Sequence, residues 1–85
     1  MKLDLLEICF KKAIETKAKY IAVQIETRGS EGIEVIINPN VNFSAKLDYY
    51  KKAYTEELVL KTYDGIKIVG FAFGDSFKEI EEKLS

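Results

Sequence analysis

The chain has 85 residues, 47% of them hydrophobic and 32% charged, with 13 basic side chains against 14 acidic ones. This fits one small globular domain spanning 1–85, too apolar for disorder and with no net field to draw it to phosphate or an anionic membrane. A single cysteine, Cys9, and no histidine exclude a disulfide scaffold within one chain and argue against a thiol–imidazole metal site.

The first residues, MKLDLLEICF, lack the apolar run of a signal peptide, and no stretch reaches the length of a membrane span. The expected location is cytoplasmic. A helix is expected over about residues 4–18, with Asp4 and Glu7 at capping-box spacing and an apolar stripe of Leu3, Leu6, Phe10, Ala13 and Ile14. Its end carries no Gly or Pro, so the β-branched run from Ile21 is expected to stop it.

KYIAVQIE (19–26) and GIEVIIN (32–38) alternate as a β-hairpin. If Ile21, Val23 and Ile25 share a face with Ile33, Val35 and Ile37, the loop must be odd, about three residues centred on Gly29 or Ser30. Pro39 ends the second strand. A helix capped by Asn42 or Ser44 then covers about 43–56, burying Phe43, Leu47, Tyr50 and Tyr54. A second hairpin, ELVLKTY and GIKIVGFAF, turns on Asp64-Gly65, a type I′ signal that sets Leu60 opposite Val69 and Leu58 opposite Phe71. Its second strand is apolar on both sides, which suits a central position, with Gly70 as a bulge or close-approach site. Ser76 and Glu79 form a capping box for a last helix that faces inward through Phe77, Ile80 and Leu84.

The fold class is therefore α+β, a single domain of order α-β-β-α-β-β-α. It is expected to form a four-stranded, mainly antiparallel sheet with helices packed on one face. FKKAI and YKKAY, and GIEVI and GIKIV, echo one another, but their spacings differ, so a duplication is the lesser reading.

No motif carries a reaction. Asp48, Glu56 and Glu57 do not share a helical face, Cys9 has no base, and RGSEG does not lead into a helix. The residues left for function are the Asn-rich loop, Asn38, Asn40 and Asn42, and a basic–aromatic helix face of Lys46, Tyr49, Lys51 and Lys52. Such a face suits a protein partner, with Tyr49 as anchor, or a stacked base on single-stranded nucleic acid. The near-neutral charge and single arginine weigh against nucleic acid without excluding it. A nucleotide-sized ligand between helices and sheet is a third reading.

The blocks KYIAVQIE, EVIINPNVNFSAKLDYYKKAY and IKIVGFAFGDSFKEIEE resemble a family of small phage and prophage proteins of Gram-positive bacteria. The likeness covers most of residues 18–83. It is most specific at Ile37–Phe43, Tyr49–Tyr54 and Phe71–Phe77. It implies an intracellular accessory protein of a mobile element and brings no catalytic residues with it. By analogy such a protein occludes a host or defence protein, CRISPR nucleases included. The expectation is a non-enzymatic protein-binding module without cofactor, metal or membrane partner. Its contact residues are Asn38, Asn40, Asn42, Lys46, Tyr49 and Lys52, and a free strand edge allows a homodimer.

Overall fold

A computed structural model describes residues 2–29 and 32–84. Among the described residues three helices, α1 (Lys2–Glu15), α2 (Phe43–Ala53) and α3 (Phe77–Leu84), surround three strands, β1 (Tyr20–Thr27), β2 (Ile33–Pro39) and β3 (Ile66–Gly74). A 3-10 turn, Asn40–Asn42, joins β2 to α2. The sheet is antiparallel in the order β2-β1-β3. The fold is α+β as expected, but among the described residues the sheet has three strands, and β1, not the doubly apolar β3, is central.

The expected third strand fails for a local reason. Leu58 takes a left-handed φ of 65°. Thr55 closes the turn around it: its N–H donates to Val59 O (2.8 Å), and its hydroxyl accepts the Val59 N–H (3.2 Å). Thr side chains that bond nearby backbone compete with ladder formation. Only isolated bridges remain, Tyr54 to Leu60 and Val59 to Lys67. Asp64-Gly65 does turn the chain, with Ile66 N–H donating to Tyr63 O (3.2 Å). Neither residue has positive φ, so the turn is not type I′. Leu58 accordingly meets Ile68, whose N–H donates to Leu58 O at 2.9 Å, rather than Phe71.

The first hairpin keeps its strands but not its expected parity. Glu26 pairs with Ile33 and Ile25 with Glu34. Six residues, 27–32, separate the last paired residues Glu26 and Ile33, an even number, and an even spacing puts the apolar row on the other face. Ser30, one of the two expected loop centres, lies outside the described residues. Ile33, Val35 and Ile37 therefore sit on the face opposite Ile21, Val23 and Ile25.

Both faces carry helices, which corrects the one-face expectation. Leu6, Phe10 and Ala13 of α1 pack with Phe43, Tyr50 and Tyr54 over Ile21, Val23 and Ile25. Phe10 anchors this core, meeting Phe43 edge-on at 6.0 Å and Tyr50 at 5.9 Å between ring centres. The stripe of α2 is buried as expected, whereas Ile14 of α1 is half exposed. On the other face α3 lies over β3 and β1. Ile80 is buried there, the Phe77 ring meets that of Tyr20 at a tilt with centres 4.9 Å apart, and a Cβ at Gly74 would meet Glu79 and Ile80. Ala22, fully buried, is small enough to lie on that face among them.

Helix ends follow side-chain chemistry. Ser76 Oγ accepts the Glu79 N–H (3.1 Å), while Glu79 reaches back to the Asp75 N–H (2.9 Å), one residue earlier than expected of a capping box. α1 ends in a Schellman motif. Ala18 N–H donates to Ala13 O (2.9 Å), Lys17 N–H donates to Ile14 O (3.2 Å), and Lys17 is left-handed at φ 59°. That motif, not the β-branched run, stops the helix. In β3 the register shifts by one beside Gln24, leaving Val69 as a bulge. A Cβ at the neighbouring Gly70 would run into the Gln24 side chain, so Gly70 is a close-approach site.

Candidate functional site

The expected contact residues divide into a buried one, Asn38, and a group that is exposed or, for Lys46, partly so. Asn38 is only 1% exposed. Its Nδ2 donates to Ile21 O (3.2 Å), and its Oδ1 has no hydrogen-bond partner among the described residues. Asn38 closes the core at the end of β2 with its side chain turned inward, which corrects its assignment to the exposed contact surface. The cause is parity again: β2 turned the other way directs Asn38, not Ile37, under α2.

Asn40 and Asn42 are exposed in the 3-10 turn. Neither the turn nor α2 has a side-chain cap bond, so these amides are not spent on capping. Between them stands Val41, 84% exposed, the most exposed large apolar side chain among the described residues. Val41 carries no signal in the sequence, because a lone valine between asparagines has no periodicity. Beside the turn lies a groove of about 350 Å³ lined by Ala13, Ile14, Lys17, Ala18, Asn40 and Phe43. Ile14 in its lining is half exposed, and Val41 follows Asn40 in the turn beside it.

The turn continues into α2. Asn42, Lys46 and Tyr49 fall at i, i+4 and i+7 and so share a stripe, with Val41, Asp48 and Lys52 on the next. Tyr49 is 49% exposed but braced: its ring meets Tyr50 at 5.3 Å and Tyr54 at 6.3 Å, with Lys46 Nζ 5.7 Å above it. A half-exposed aromatic already fixed by neighbours loses little conformational freedom on contact. Burial pushes the Tyr54 hydroxyl up to about 12 and raises Tyr50 as well, with Asn38 opposing the Tyr50 shift. Both are neutral core groups at ordinary pH.

Two cations of interest are already engaged. Lys51 Nζ sits 2.8 Å from Glu7 Oε2, tying α2 to α1. Arg28 bridges Asp64 at 2.6 Å, and its N–H donates to Gly65 O at 2.7 Å, latching the hairpin tip to the next turn. Cys9 is buried, and burial pushes its thiol up to about 11. Among the described residues no group of three or more His, Cys, Asp or Glu side chains could hold a metal, and no helix is long and apolar enough to cross a membrane.

No protein-family model, no curated protein and no solved structure matches this chain.

Proposed function

We propose that this chain is a non-enzymatic binding module that engages another protein through the Asn40–Val41–Asn42 turn and the adjoining face of α2. The observation that carries the proposal is Val41, held 84% exposed at the tip of an ordered turn beside an apolar groove. An apolar side chain so presented, next to a braced tyrosine and two uncommitted asparagine amides, has the makeup of an interface centre with a polar rim. Lys46 and Lys52 add positive charge, which suits a client surface with acidic residues around an apolar pocket.

The likeness to phage accessory proteins suggests, within this proposal, that the client is a host or defence protein and that binding occludes it. The test is capture from a host lysate by wild type and by the double variant Val41→Asp, Tyr49→Ala, with circular dichroism confirming the fold. Selective loss of one captured protein supports the reading, and unchanged capture removes it.

Nucleic-acid binding through Lys46, Tyr49 and Lys52 is the second reading, favoured by the lysine poised over the Tyr49 ring. It is weaker because Lys51 and Arg28 are held in ion pairs and Asp48 lies on the same face. Single-strand binding that falls steeply with salt, as counterion release requires, would put it first.

A further inference from the structure

The two edges of the sheet are treated differently. The β3 edge is obstructed at both ends: Val59 bridges to Lys67, and Lys83 reaches from α3 to donate to Phe73 O at 2.7 Å. A bulge at Val69 bends it between these points. Such devices keep an edge from pairing with another strand.

The β2 edge has none of them along its length. Asn40 N–H donates to Lys19 O (2.9 Å), which sets the phase of the ladder, so Asn38, Ile36 and Glu34 are the hydrogen-bonded partners of Ile21, Val23 and Ile25. The N–H and C=O groups of Ile33, Val35 and Ile37 therefore point out of the sheet, where no strand lies among the described residues. Ile33, Val35, Ile36 and Ile37 are each between 37% and 50% exposed, apolar on both faces. Because α3 sits over β3 and β1, β2 overhangs it. The space between them is a groove of about 490 Å³, lined by Gln24, Val35, Ile37, Phe77, Ile80 and Leu84 among others, with Phe77 itself 60% exposed.

We propose that β2 is the interface between two copies of this chain, paired antiparallel across a two-fold axis at Ile36, so that two three-stranded sheets join into one of six. This face adjoins the Asn40–Val41–Asn42 turn but is carried by other residues, Ile33 to Ile37 of β2. The side-chain order of β2 about Ile36 is self-complementary, which points to a second copy. β2 carries one charge, Glu34, and no lysine. With the axis at Ile36, Glu34 falls opposite Asn38 of the second copy, and the two Glu34 residues stay about 13 Å apart along the sheet. Ile36 then meets its own symmetry mate, and Val35 meets Ile37. Moving the axis to Val35 would set Ile36 against Glu34, an apolar–charged mismatch. The outward N–H groups of Val35 and Ile37 exchange bonds with one another across the axis, and Pro39, which has no N–H, is left at the end of the ladder where it does no harm. On the α3 face the second copy's Val35 and Ile37 extend the apolar row beside Phe77, and the pair presents two Val41 turns.

The test is sedimentation velocity over a wide concentration range on the full chain. Two variants accompany it, Val35→Pro and Val35→Lys. The proline removes an N–H that points away from β1, so the internal ladder is kept. The lysine places a charge on a half-exposed position and tests the interface if the proline variant does not fold. The expected result is a wild type whose mass doubles with concentration, and variants that stay monomeric with unchanged circular dichroism. Amide exchange at Val35 and Ile37 should slow as wild type is concentrated. A wild type monomeric at every concentration overturns the proposal and leaves a foreign strand as the occupant. A dimer that survives Val35→Lys overturns it in favour of another surface. Loss of client capture by Val41→Asp with dimerisation intact, or the converse, separates this proposal from the functional one.

Discussion

Lys17 holds the left-handed position that ends α1, and replacing it tests the local reasoning most sharply. At φ 59° an L-residue pays a steric cost of about 1–2 kcal/mol in that region. Glycine avoids it but loses about 0.5–1 kcal/mol more backbone entropy on folding than alanine does. Lys17→Gly should therefore stabilise the protein by roughly 0.5–1 kcal/mol. For a domain of this size each kcal/mol moves Tm by about 4–8 °C, so the midpoint should rise by about 2–8 °C. Lys17 is exposed and its side chain takes no part in the core, so no packing loss offsets the gain. Ala18 and Ala13, both buried, keep the apolar contact that accompanies a Schellman motif. The assay is thermal unfolding by circular dichroism for Lys17→Gly, Lys17→Ala and Lys17→Val. Alanine should be nearly neutral and valine destabilising. A glycine variant less stable than wild type, with valine neutral, would show that α1 does not end in this motif.

Three further outcomes follow from buried or paired groups. Asn38→Asp places an acceptor against Ile21 O in a fully buried site, and should cost about 2–4 kcal/mol at neutral pH by chemical denaturation, with part of the loss recovered in acid as the carboxyl protonates. An equally stable variant would mean that Asn38 is not buried. Cys9, its thiol pushed up to about 11 by burial, should react with a thiol reagent far more slowly in the native state than after unfolding. Glu79, held low first by the Asp75 N–H and then by Lys83, and Glu7, held low first by Lys51, have folded pKa values below their ordinary 4.5. Their stabilisation is fully present above the unfolded pKa and is lost as pH falls through the folded values. Glu79→Gln should therefore flatten the acid limb of a stability–pH curve, and an unchanged limb would refute the Asp75–Glu79 bond.

What the sequence made legible was whatever depends on neighbours a few residues apart. The helical stripe Phe43, Leu47, Tyr50, Tyr54, the alternation of β1 and the Ser76–Glu79 cap follow from local period and local bonding, and they stand in the structure. The errors share a different origin. The face of Ile33, Val35 and Ile37 depends on the parity of one loop, and a single residue more or less reverses a whole strand. That reversal hid Asn38 in the core and left β2 apolar on both sides. The segment after Tyr54 reads as a strand by composition, but Thr55 and a left-handed Leu58 spend its backbone bonds locally. The order of the sheet was not legible at all, since β3 looks central by hydrophobicity and is an edge screened by Lys83 and the Val59 bridge. At the site, Tyr49, Lys46, Lys52, Asn40 and Asn42 could be named from residue type. Val41 and the groove by Ile14 could not, because their exposure is created by the way α1 ends and the 3-10 turn begins.

The most direct test of the binding account is site-specific photocrosslinking in host lysate. A benzoylphenylalanine takes the place of Val41 in one sample and of Lys78, exposed on the opposite helix layer, in another. The account predicts one discrete crosslinked protein from position 41, absent from position 78 and suppressed when unlabelled wild type is added in excess. Equal labelling from both positions, or no discrete adduct from position 41, would contradict it.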